Sequence, residues 1–168
     1  YQPEMGPGLK RMLWGFSRLD SPDALVDLKL HTNGLEQALS VAGKRSVNID
    51  PGYLAPARVV LASTKDFAHR LYLGKGIYGE VTLTYHRRGF RFLPWTYPDY
   101  RSEAYQLFFR EMRRLYLGQL ASYGSVTNTR SAPCKRSSNS VFALSAALLP
   151  TSGSPPAPMP RVRFRPIR

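Results

Sequence analysis

One cysteine, Cys134, stands among the 168 residues, so no internal disulfide can form and no cysteine-based metal centre can be built. Histidine is almost as scarce. His31, His69 and His86 form no His-x-x-x-His pair, and only Asp50, Glu80 and His69 offer a converging set, so no metal is expected. No apolar run approaches the roughly 20 residues of a membrane span; the longest, VFALSAALL at 141–149, stops at Pro150. The opening residues YQPEMGPGLKR lack the apolar core of a signal peptide, and the start at Tyr1 implies that the natural N-terminus is not included. These absences predict a protein without a membrane span, in a reducing, cytoplasmic setting.

Acidic residues are few as well: 11 Asp/Glu against 24 Lys/Arg, a net charge of +13. Such a balance points toward polyanions, but it is unevenly distributed. Residues 1–120 hold every carboxylate, whereas 121–168 hold 7 Lys/Arg, 7 of the 14 prolines and no acid. A segment of that composition buries too little apolar surface to offset chain entropy. The expected organisation is therefore one domain over 1–120 and a disordered, basic, Pro/Ser-rich tail over 121–168. The tail's end, RVRFRPIR, can be a phosphate-clamping arm or an unstructured extension, the reading its composition favours.

Within the domain, residues 9–19 suit a strand or an irregular lead-in. Ser21, Pro22 and Asp23 mark a helix start, and Leu25, Leu28, Thr32, Leu35, Leu39 and Ala42 an apolar stripe ending at Gly43. SVNID is a short strand turned by Pro51-Gly52, and RVVLAST a buried one. Strict alternation over IYGEVTLTYH puts Ile77, Gly79, Val81, Leu83 and Tyr85 on one face, with Glu80 on the other. Arg87-Arg88-Gly89 turns the chain into FRFL. After PWTYPDYR, Asp99 or Ser102 caps a second helix with a Tyr105, Phe108, Met112, Leu115, Gln119 stripe, ending near Gly118–Leu120. The predicted fold class is α+β: a mostly antiparallel sheet with two helices packed on one face, followed by the disordered C-terminal tail.

Gly74-x-Gly76-x-x-Gly79-x-Val81 has the spacing of a kinase glycine loop. A kinase also needs a lysine on the following strand, then a catalytic Asp and an Asp-Phe-Gly. VTLTYHRRG has no lysine, and the partial echoes Asp66-Phe67-Ala68 and His69-Arg70-Leu71 come before the glycines. A P-loop would need Gly-Lys-Ser/Thr opening a helix, whereas Lys75 precedes Gly76 and a strand. The glycines read as a hairpin turn, and nothing in the sequence indicates ATP or GTP; the cofactor is left unknown.

The phrases EMGPGLKR (4–11), VNIDPGYLAPARVVLASTKDFAHRLYLGKGIYGEVTLTY (47–85) and WTYPDYRS (95–102) resemble a bacterial family catalogued as domain of unknown function 4416, over about Glu4 to Leu120. The resemblance implies a chain beginning part-way into the family domain and a tail foreign to it. It brings no established activity, and members labelled GTP-binding lend none here, since neither a P-loop nor Asn-Lys-x-Asp is present.

The densest polar grouping is Asn48, Asp50, Tyr53, Lys65, Asp66, His69, Arg70 and Glu80, joined later by Trp95, Tyr97, Asp99, Tyr100 and Arg101. Lys65, His69 and Arg70 can donate to a phosphate or carboxylate. His69 is the candidate acid or base, with Asp50 or Glu80 orienting it; Asn48, Tyr53, Lys65, Arg70, Trp95, Tyr97 and Arg101 are candidate ligand contacts. Each residue also has a plain structural use: Asp50-Pro51-Gly52 as a turn, Glu80 as a cross-strand partner, the aromatics as packing. Three functional classes follow. The favoured one is a small bacterial cytosolic domain that binds or acts on an anionic, phosphorylated or carboxylated metabolite. The others are a nucleic-acid module using PWTYPDYR with Arg87, Arg88, Arg113 and Arg114, and a non-catalytic interaction domain. Substrate, reaction and oligomeric state are not encoded legibly.

Overall fold

The computed structural model describes residues 9–126 and 141–150, with only the backbone described beyond residue 122. Strand β1 (Leu9–Asp20) leads into helix α1 (Ala24–Ala38). Strands β2 (Asn48–Ala55), β3 (Arg58–Ser63), β4 (Leu71–Gly74), β5 (Ile77–His86) and β6 (Gly89–Phe92) follow. A 3-10 turn (Pro98–Arg101), helix α2 (Glu103–Val126) and strand β7 (Val141–Pro150) complete the order. The seven strands form one antiparallel sheet, β1-β7-β2-β3-β5-β4, with β6 also paired to β5.

The α+β class and the mostly antiparallel sheet are as expected, but the helices occupy opposite faces. Phe109, Met112 and Tyr116 of α2 pack on Leu54, Val59, Leu61, Leu83 and Phe90. Leu25 of α1 packs on Val60, Ala62 and Ile77. Val59 and Val60, neighbours on one strand, point to opposite sides, so each helix has its own face. VVLA at 59–62 is apolar at consecutive positions because both of its faces are covered.

A bulge breaks the alternation expected along β5. Val59 and Val60 lie opposite Leu83 and Val81, which leaves Thr82 as the additional residue. Ile77 and Val81 therefore serve the α1 face, while Leu83 turns to the α2 face that Glu80 shares. Gly74, Lys75 and Gly76, all at positive φ, form the hairpin turn. Pro51-Gly52 is no turn but lies within β2; the chain reverses at Pro56-Ala57 instead.

Two parts of the segment expected as a tail, 121–126 and 141–150, lie in regular elements. α2 runs through Val126, and residues 141–150 insert between β1 and β2, facing Leu9–Asp20 on one side and Asn48–Leu54 on the other. Residues 127–140 and 151–168, including Cys134 and RVRFRPIR, lie outside the described residues. No helix among the described residues is long and apolar enough to cross a membrane.

Candidate functional site

β2 and β3 pair only over Gly52–Ala55 and Arg58–Leu61. Toward Asn48 the two strands are no longer bonded to each other, and helix α1 supplies what the ladder leaves open. The Ile49 amide donates to Glu36 Oε1 at 2.7 Å, and its carbonyl accepts from Lys29 Nζ at 2.8 Å. Buried backbone groups need partners, and here two charged side chains provide them. Lys29 and Glu36 are both buried, on the same helix face as Leu25 and Thr32. Positions 25, 29, 32 and 36 are spaced by four, three and four, so three of the four buried positions of α1 are polar; Leu25 and Thr32 belong to the stripe expected, while Lys29 and Glu36 are buried in place of Leu28 and Leu35.

From this junction a network spreads across the strand end. Lys29 Nζ lies 3.4 Å from Asp50 Oδ1 and 3.8 Å from Glu36 Oε1. Arg45 Nη1 donates to Glu36 Oε2 at 3.4 Å and Asn48 Oδ1 at 3.3 Å, and Asn48 Nδ2 donates to Asp50 Oδ2 at 2.8 Å. Asp50 thus belongs to a charge network rather than to a turn.

A second network faces it. Arg70 Nε donates to Glu80 Oε2 at 2.8 Å, while its Nη1 donates to Ser63 Oγ at 2.8 Å and the Lys65 carbonyl at 3.0 Å. His69 Nε2 lies 3.1 Å from the same Glu80 oxygen, and Thr82 Oγ1 donates to Oε1 at 3.2 Å. Glu80 is buried and fully engaged. The His69 ring stacks on Trp95 at 4.7 Å and on Phe67 at 6.0 Å between centroids.

Between the two networks lies a cleft of about 170 Å³. Its lining includes Lys29, Arg45, Lys65 and Arg70 against Glu36, Asp50 and Glu80, a set with one more cation than anion. The three carboxylates are bridged by Lys29, Arg45, Arg70 and His69. Lys65 takes part in no ion pair among the described residues. Ser63, Thr64, Asn33 and Tyr97 add hydroxyl and amide groups. Burial raises the Tyr97 phenol above its usual range, with the Asp50 and Glu80 charges adding to the effect, so it presents a neutral O–H.

Of the expected site residues, the cleft gathers Asn48, Asp50, Lys65, Arg70, Glu80 and Tyr97. His69 touches Glu80 but is not among the lining residues, and it makes no contact with Asp50 in the networks above. Tyr53 packs with Val60 and Ile77 instead. Trp95 Nε1 donates to the Val81 carbonyl at 2.9 Å, and Arg101 Nη2 is spent on the Leu93, Pro94 and Thr96 carbonyls. Tyr100 is buried against Phe109, and Asp99 pairs with Arg11. PWTYPDYR therefore fastens the connection to the sheet. Lys29 and Glu36 were missed because a helix stripe is sought among apolar residues, and Arg45 because it lies in the connection between α1 and β2. Among the described residues no group of His, Cys, Asp and Glu has the arrangement of a metal site.

The model of the family described as Domain of unknown function (DUF4416) matches residues 1–116. The chain belongs to that family. The match contains every residue that lines the cleft, and leaves out β7 and the last turns of α2. No curated protein and no solved structure matches.

Proposed function

We propose that this member of the family binds a small anionic metabolite, phosphorylated or carboxylated, in the cleft between α1 and the parted ends of β2 and β3. The observation that carries the reading is the convergence of Lys29, Arg45, Lys65 and Arg70 on one concave site, with Lys65 outside the ion pairs that hold the others. Fixed cations beside hydroxyl donors suit phosphate or carboxylate oxygens. The carboxylates hold the cations in place, and the neutral Tyr97 hydroxyl is an additional donor. His69 backs Glu80 and serves to position it, so the proposal is binding rather than catalysis. The lone cysteine favours a reducing compartment, so cytosolic metabolites are the ligands to test first.

Calorimetric titration of the full chain with inorganic phosphate, pyrophosphate and small di- and tricarboxylates tests this. At least one class is expected to bind, with Lys65→Ala and Arg45→Ala each weakening it about 10-fold or more, the scale of one charged hydrogen bond. Absence of binding at millimolar ligand, or affinity unchanged in both variants, would overturn it.

A further inference from the structure

The opposite end of the sheet carries a second charged feature. Arg58 of β3 faces Thr84 of β5, and Thr84 faces Arg91 of β6. The three residues form one cross-strand row with the arginine backbones about 10 Å apart, two inter-strand spacings. Arg58 lies on the face opposite Val59, and Arg91 on the face opposite Phe90, so both point away from the α2 core. α1 packs farther along that face, on Val60, Ala62 and Ile77, and both arginines stay exposed. Arg87, Arg88 and His86 are exposed at the adjoining hairpin.

Arg113 joins the same end from α2. Its Nε donates to the Pro56 carbonyl at 2.8 Å and its guanidinium lies 3.6 Å over the Tyr85 ring, while the Tyr85 amide donates to Ala57. The β2–β3 turn and the β5–β6 hairpin are thus held together, and the arginines with them. No carboxylate occurs in 51–65 or 81–98, and Glu111 is already paired with Arg114. Arg58, Arg87, Arg88 and Arg91 make no ion pair among the described residues. Four like charges that make no ion pair raise the local potential and oppose the compact state.

We infer that this end of the sheet binds the phosphodiester backbone of a nucleic-acid duplex, independently of its sequence and separately from the cleft. Every fully charged group in it is arginine, whose planar fork matches phosphate oxygens. The row Arg58, Thr84, Arg91 offers no aromatic ring for unpaired bases to stack on, which favours a duplex over a single strand. It offers no large apolar side chain for a lipid interface either: Phe92, the nearest exposed one, pairs with Leu83 on the other face.

The test is fluorescence anisotropy of a labelled 24-bp mixed-sequence DNA duplex with the full chain, between about 50 and 200 mM salt. Binding should weaken linearly on a log–log plot. Arg58→Ala/Arg87→Ala/Arg88→Ala/Arg91→Ala should flatten that slope by about 3 to 4, near 0.9 for each phosphate no longer neutralised. Arg58→Lys/Arg91→Lys should retain most of the slope, and far-UV circular dichroism should show the fold intact in both. A slope unchanged in the quadruple variant would move binding elsewhere on the chain and overturn the inference. Tighter binding to the single strand, or retention only on phosphatidylserine-containing vesicles, would overturn it equally. Lys65→Ala should leave the duplex affinity unaltered, which separates this surface from the cleft.

Discussion

Arg70→Ala should be among the most damaging substitutions in the protein, and its cost can be reasoned from the contacts. The Arg70 and Glu80 side chains are 8% and 4% exposed, with guanidinium and carboxylate 2.8 Å apart. Removing the arginine leaves a buried carboxylate with only His69 and Thr82, and also releases the Ser63 hydroxyl and the Lys65 carbonyl. Breaking a buried pair from one side costs about 3–5 kcal/mol, mostly the penalty of the charge left behind. Against a total of about 5–15 kcal/mol for a domain, that is a large share. In urea, with a slope of about 2 kcal/mol/M, the midpoint should fall by roughly 2 M at unchanged slope. Arg70→Met/Glu80→Met should be less destabilised than the sum of its single variants, because neither charge is then stranded. Lys75→Ala is the internal control. Its 2.7 Å pair with Asp27 is 64% and 56% exposed, and its loss should cost at most about 1 kcal/mol. Additive single effects, or an Arg70→Ala cost no greater than that of Lys75→Ala, would refute the reasoning.

A Cβ on Gly52 would strike the Val60 carbonyl oxygen and approach Leu61 Cδ2 to 2.7 Å, whereas one on Gly79 would meet only the exposed Leu73 side chain, at 3.0 Å. Thermal melts should therefore show Gly52→Ala destabilised by about 1–3 kcal/mol and Gly79→Ala by less than about 1; equal effects would contradict the packing. Burial drives the Tyr100 phenol far above its usual range. An unfolded tyrosine ionises near pH 10, so stability should hold below that and fall as pH rises beyond it, by up to about 1.4 kcal/mol per pH unit. Urea titrations between pH 9 and 11.5 should show a shallower fall in Tyr100→Phe, and an identical fall would count against the burial. Ala147 faces Met12 on one side and Ile49 on the other. Ala147→Pro removes an amide from mid-sheet and should cost about 3 kcal/mol in denaturant melts; a neutral result would show that β7 contributes no stability.

What the sequence disclosed depended on how local each cause was. The Gly74-Lys75-Gly76 turn and the strands around it follow from backbone preference and alternation over a few residues, and both are present. The bulge at Thr82 has no glycine or proline to announce it, so the step that brings Leu83 to the face of Glu80 was not legible. The division of the helices between two faces was not read, although VVLA at 59–62 carries no polar alternation and so demands cover on both sides. The insertion of VFALSAALL between β1 and β2 is a contact across the whole chain, set by what those strands leave unpaired. No composition rule reaches that far.

The candidate site follows the same logic. Asn48, Asp50, Lys65, Arg70 and Glu80 were legible because they crowd one stretch of sequence, yet the cleft depends as much on Lys29 and Glu36, which lie on a helix otherwise read for its leucines. Had 29 and 36 been apolar, α1 would still pack, but the Ile49 amide and carbonyl would have no partner where β3 departs. The charges therefore answer a structural need first. Satisfying that need, they also keep β2 and β3 apart and hold Asp50 and Arg45 at the rim. The glycine-rich turn that most resembles a nucleotide loop takes no part in this. Its contribution to the cleft is indirect: it reverses the chain into β5, the strand on which Glu80 meets Arg70.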